Sequence, residues 1–77
     1  MKVNVLLFGP LRDITGSNEL VVDEAGDIDK LMANLYSRFP AMAGVKFIVA
    51  VDRKTITGNA PLKDNSTVAL MPPFSGG

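Results

Sequence analysis

Residues 27–40 read DIDKLMANLYSRFP, and this stretch decides the fold class. Ile28, Leu31, Met32, Leu35 and Phe39 recur at i, i+3, i+4, i+7 and i+11, one apolar stripe at helical spacing. Asp27 is suited to cap the helix, because its carboxylate accepts from amides that a first turn leaves unpaired. Asp29 adds negative charge where the helix dipole favours it. Pro40 stops the helix. A single helix with a single apolar stripe has to bury it against something else, and the flanking segments are β-rich.

On the N-terminal side, residues 2–8 (KVNVLLF) form an apolar run of strand-forming residues, punctuated by Gly9 and Pro10. Residues 9–18 read as a long loop. The short run ELVVD at 19–23 is a second strand, so residues 2–23 make a hairpin with a long connection, broken at Gly26. On the C-terminal side, KFIVAV at 46–51 is a third strand, and Asp52, Arg53 and Lys54 turn the chain into a short continuation around residues 55–57. Gly58 and Pro61 interrupt it. Residues 63–66 are a polar turn, TVALM at 67–71 is the last strand, and Pro72 and Pro73 end it because they remove two ladder donors. The order ββαβ, short piece, β predicts an α+β fold: a mixed sheet of four to five strands, one main helix packed across it, and one sheet face partly bare. Residues 1–71 form the domain and residues 72–77 an extended tail ending in Gly76 and Gly77.

Composition limits the chemistry. The 77 residues include no Cys, Trp or His, and eight Lys plus Arg balance eight Asp plus Glu. A chain this short supports one small core. Disulfides are excluded, the usual zinc, iron–sulfur and haem ligands are absent, and no thiolate nucleophile or imidazole base can be assembled. No metal site is expected. Charge near zero, with basic residues scattered from Lys2 to Lys63, gives no footprint for nucleic acid. The apolar run at residues 3–8 is too short to span a membrane and lacks a cleavage site, so no membrane association and a cytoplasmic location are expected. Asp23, Glu24, Asp27 and Asp29 read as solvated strand ends, a cap and a dipole charge, not as catalytic acids. Asn65, Ser66 and Thr67 match a glycosylation pattern but read as a polar turn.

LLFGPLRDITG after the first strand, the capped central helix, VAVD at the end of the third strand and PLKDNSTVALMPPFSGG at the close together resemble the small, sulfur-carrying subunits of molybdopterin synthase. These are ubiquitin-like β-grasp proteins, related to the sulfur carrier of thiamine biosynthesis. The similarity runs almost end to end, and the closing Pro-Pro, apolar, small, Gly-Gly pattern is its most specific part. Asp52 stands where such proteins usually have Asn, and Asn65, Ser66 and Thr67 replace a usual Gly-Asp-Glu. Asn tolerates the left-handed conformation that Gly supplies, so the turn is expected to survive.

The resemblance implies a sulfur carrier. A ubiquitin-activating-enzyme-like adenylyltransferase would use ATP and Mg²⁺ to adenylate the Gly77 carboxylate, and a sulfur donor protein would displace AMP to leave a thiocarboxylate. The chain itself binds no cofactor in this scheme and is not catalytic alone. Loaded carrier would dock on the large subunit of molybdopterin synthase, forming a heterotetramer, and deliver sulfur to cyclic pyranopterin monophosphate. Activation has to come from a partner, since an ionised carboxylate is a poor electrophile while an acyl adenylate has a good leaving group. Gly76 and Gly77 lack Cβ atoms and suit a narrow channel. Residues 72–77 reach roughly 20 Å when extended, with Pro72 and Pro73 stiffening the base and Ser75 adding no bulk. Phe74 is assigned as an aromatic anchor in the partner's pocket. Phe8 and Met71, at the ends of the first and last strands, read as interface or as ordinary core, and Arg12 as a rim residue or an unpaired surface charge. Two other readings share the activation chemistry: a thiamine-type carrier, against which the long connection at residues 9–18 argues, and a ubiquitin-like protein modifier. A non-catalytic interaction domain is a further possibility.

Overall fold

A computed structural model describes residues 2–73. The elements in chain order are β1 (Lys2–Leu7), α1 (Pro10–Thr15), β2 (Glu19–Asp23), α2 (Ile28–Arg38), a 3-10 turn (Pro40–Gly44), β3 (Ile48–Val51), β4 (Lys54–Ile56) and β5 (Ser66–Met71). The strands form one five-stranded sheet in the order β2-β1-β5-β3-β4. β1 and β5 run parallel, with Val5 opposite Val68, while β1–β2, β3–β5 and β3–β4 are antiparallel. A mixed sheet with one long helix across it is the β-grasp arrangement expected from the sequence.

Strand alternation decides what is buried. Val3, Val5 and Leu7 of β1 and Val68 and Leu70 of β5 point to the helix side and are essentially inaccessible. Leu31 and Leu35 of α2 meet them there, with Ile28 at the edge and Met32 and Phe39 partly buried. The first four N–H groups of the helix all find acceptors. Asp27 Oδ1 accepts from the Lys30 N–H at 2.8 Å, and Asn59 Oδ1 accepts from the Asp29 N–H at 2.8 Å. The Ile28 N–H donates to the Ala60 carbonyl at 2.9 Å, and the Leu31 N–H to the Asp27 carbonyl at 3.0 Å. Asn59 and Ala60 thus share the capping of the helix start, which the sequence assigned to Asp27.

Several expectations are corrected. Residues 10–15, expected as loop, form α1: Pro10 fits a first helical position, Leu11 is buried at 1% exposure, and Gly16 closes the turn at φ 74°, donating its N–H to the Arg12 carbonyl. β1 ends at Leu7 and not at Phe8, and β3 starts at Ile48, so Lys46 and Phe47 lie outside it. β4 covers Lys54–Ile56, one residue earlier than expected, and β5 begins one residue earlier, at Ser66. After Pro40 the chain does not leave the core: the 3-10 turn buries Met42 completely. The turn before β5 does survive, with Asn65 at φ 67°.

Candidate functional site

The sheet face away from α2 has no helix over it among the described residues. β1 presents Leu6 there, β5 presents Thr67, Ala69 and Met71, and β3 presents Ile48 and Ala50, as the registers require. Ala50 and Ala69 are direct partners across the β3–β5 ladder. Because neither side chain extends past Cβ, the sheet is hollow at that point. The result is an open, mainly apolar depression of about 550 Å³, with Leu6 and Met71 among its walls and Thr55, Asp52 and Arg53 at the β4 side.

The rim at Asp52 and Arg53 is built by backbone geometry. Both residues have positive φ, 47° and 74°, as a two-residue hairpin turn matched to strand twist requires. Asp52 is also tied to the neighbouring strand through Thr67. At the far end of β5, Met71 is half-buried and pairs with Ile48, and Pro72 and Pro73 follow on the surface. Pro72 lies against Gly9.

Phe8 is 41% exposed, and its N–H donates to the Leu70 carbonyl at 3.2 Å. This extends the β1–β5 pairing by one bond, so Phe8 and Met71 stand at the same end of the sheet. Neither is ordinary core. Arg12 is exposed on α1 and lines a separate polar hollow of about 380 Å³ with Asp13, Gly16, Ser17 and Asn18, so it does not join the depression. Phe74, Ser75, Gly76 and Gly77 lie outside the described residues. Sequence reasoning missed Leu6, Ala50, Thr67 and Ala69. The available signal was the strand alternation: with Val5, Val68 and Leu70 assigned inward, Leu6, Ala69 and Met71 have to face outward.

The ionisable groups lining the depression are Asp52 and Arg53. The Asp27 carboxyl is held below the usual carboxylate range by the Lys30 backbone hydrogen bond and, secondarily, by Asn59 and the Lys30 charge. It serves the helix cap. Among the described residues no group of three or more His, Cys, Asp or Glu is placed to hold a metal, and no helix is long and apolar enough to cross a membrane. The described site is an open, mainly apolar depression beside the point where β5 hands over to Pro72.

The molybdopterin synthase sulfur carrier subunit of Chlamydomonas reinhardtii is 32% identical to this chain over 84 residues, covering 100% of both chains. Subunit 1 or 2 in the solved complex of the molybdopterin-converting factor from Helicobacter pylori matches with 31% identity and a TM-score of 0.75, again over 100% of both chains. The small archaeal modifier protein 1 of Methanosarcina acetivorans shares the fold, with a TM-score of 0.84 at 24% identity over 99% of this chain and 96% of that one. The model of the ThiS family matches residues 5–77, and the chain belongs to that family.

Proposed function

We propose that this chain is the sulfur carrier and small subunit of a molybdopterin synthase. The observation that carries the reading is the open apolar depression on the sheet, flanked by Met71 where β5 hands over to Pro72, in a chain that aligns over its whole length with a sulfur carrier subunit. The depression and the sheet end at Phe8 and Met71 receive the large subunit. Pro72 and Pro73 lead the tail off the docked surface, Phe74 anchors it, and Ser75, Gly76 and Gly77 enter the partner's active site. Arg12 sits at the rim of this contact.

The chemistry resides in the terminal carboxylate. One oxygen of the ionised Gly77 carboxylate attacks the α-phosphorus of ATP in an adenylating partner, and pyrophosphate leaves. The terminal sulfur of a donor protein's persulfide then attacks the acyl carbon, and AMP leaves with the bonding electron pair; a second thiol next attacks the donor's inner sulfur, the S–S bond breaks, a disulfide forms, and the thiocarboxylate is released. Docked on the large subunit, the thiocarboxylate sulfur bonds to a side-chain carbon of the pterin precursor as an oxygen substituent of that carbon leaves; water then cleaves the acyl–sulfur bond of the resulting thioester, which leaves sulfur on the pterin and returns Gly77 to the carboxylate. The glycines matter because a reacting carbon has to approach within about 3–3.5 Å of its target, which a Cβ at either position would obstruct.

The test is ATP-dependent loading of the full chain by an adenylating enzyme and a sulfur donor, read by intact mass. Exchange of one oxygen for sulfur is expected, and it should disappear on deletion of Gly77 without a change in thermal unfolding. Loaded chain, large subunit and cyclic pyranopterin monophosphate should then yield molybdopterin. A lysine-linked protein adduct in place of sulfur exchange would assign a modifier instead, and thiazole formation without molybdopterin would assign the thiamine pathway.

A further inference from the structure

Gly9 follows β1 at φ 60° and ψ −136°, a conformation open to glycine and strained for residues with a Cβ. Its α-carbon lies against the ring of Pro72: a Cβ placed there would fall 2.8 Å from Pro72 Cγ and 3.7 Å from Cδ. Both sides of this contact are held. The Gly9 carbonyl accepts from the Arg12 N–H at 3.1 Å in the first turn of α1, and Leu11 pins that helix to the core. Pro72 follows directly on β5, and its own ring restricts φ.

We infer that Gly9 is a positioning residue for the tail: by admitting the Pro72 ring against its bare α-carbon, it sets the direction in which the chain leaves the sheet. This rests on the sulfur-carrier reading, since the direction matters only where the chain end must meet a reacting group. The leverage is large. The five residues from 73 to 77 reach at most roughly 17 Å, so the heading set at Pro72 limits where the chain end can meet a reacting group. Misplacement by about 1 Å can cost as much as 100-fold in rate. Gly9 touches no reacting atom and acts through Pro72.

The test is a mutant cycle in the full chain: Gly9→Ala, Pro72→Ala and the double variant, each assayed for steady-state loading by the adenylating partner where melting curves show it folded. Gly9→Ala is expected to lower kcat by about tenfold while KM for the carrier stays within about twofold, because no exposed strand residue is altered. In the Pro72→Ala background, where Cγ is gone, the same change should cost less than about threefold. Pro72→Ala alone removes the contact without straining residue 9; its expected loss is about threefold in kcat, and it decides the matter should Gly9→Ala not fold. In the free chain, the NMR amide resonances of residues 74–77 should move in Gly9→Ala. A wild-type kcat in folded Gly9→Ala, an equal cost in both backgrounds, or unmoved resonances would overturn the inference. Failure of the wild-type chain to load would overturn the sulfur-carrier reading instead, and the resonances would still decide whether Gly9 directs the tail.

Discussion

Asp52 and Thr67 exchange two hydrogen bonds across the sheet: the Asp52 N–H donates to the Thr67 carbonyl at 2.8 Å, and Asp52 Oδ1 accepts from the Thr67 N–H at 2.9 Å. The carboxylate stands in for a ladder carbonyl that is lost when the backbone turns left-handed at residue 52. One short side chain thus ties the β3–β4 turn to β5 and lines the rim of the depression.

Asp52→Ala should therefore lose the acceptor and also strain a Cβ-bearing residue that lacks a polar side chain to favour φ 47°. The expected cost is about 1–2 kcal/mol, read from urea unfolding as a lower midpoint with an unchanged slope. Asp52→Asn keeps the oxygen and tolerates the left-handed region, so it should stay within about 0.5 kcal/mol of wild type. Equal losses in the two variants would mean that the hydrogen bond to Thr67 contributes nothing.

The core makes a sharper demand on α2. Leu35 is fully buried while Met32, on the same stripe, is only partly so. Leu35→Ala is expected to cost about 2–5 kcal/mol through lost transfer energy and a residual cavity. In a domain this small that is a large share of the total stability. Met32→Ala should cost clearly less. Denaturant melts of both decide whether the helix is seated with Leu35, not Met32, at its deepest contact.

That helix was legible because its apolar residues recur over three turns, long enough for periodicity to outweigh local accident. α1 was not, because six residues hold one apolar pair, Leu11 and Ile14, and its Pro10 and Gly16 serve turns as readily as helix ends. Met42 was hidden for a related reason: Pro40 correctly ends α2, but nothing local says that the following 3-10 turn folds inward. The depression was the least legible part. In VNVLL and TVALM both alternating sets contain apolar residues, so the inward set is decided by register with distant strands, and the facing of Ala50 with Ala69 appears only when β3 and β5 are paired.

The Asp27 cap makes stability depend on pH in a definite direction. Its carboxyl is depressed in the folded chain, so the unfolded chain binds the proton more tightly, at about pH 3.9. The cap's contribution is fully present above that value and is lost as pH falls through the lower folded value. Asp27→Ala should melt below wild type at pH 7, with the gap narrowing below about pH 4. A gap constant from pH 7 to pH 2 would show that the charge on Asp27 plays no part in the cap.

Met71 separates a docking surface from a core position. It is half-buried, faces away from α2 opposite Ile48, and walls the depression. A lysine there can lift its ammonium into water while its stem covers the same apolar floor, so Met71→Lys should shift the melting temperature little. In the complex the same ammonium would be desolvated against an apolar partner surface. The expected loss is at least about 2 kcal/mol, roughly 30-fold in affinity for the large subunit. Val21, 55% exposed on β2, is the control: it shares the bare face, but two strands separate it from β3 and it lies outside the depression, so Val21→Lys should leave affinity within about threefold of wild type. Calorimetric titration of each variant, beside melts of the free chain, gives both quantities. Unfolding of Met71→Lys with affinity retained in the folded fraction would return Met71 to the core, and equal losses at Met71 and Val21 would spread the interface over the whole sheet face.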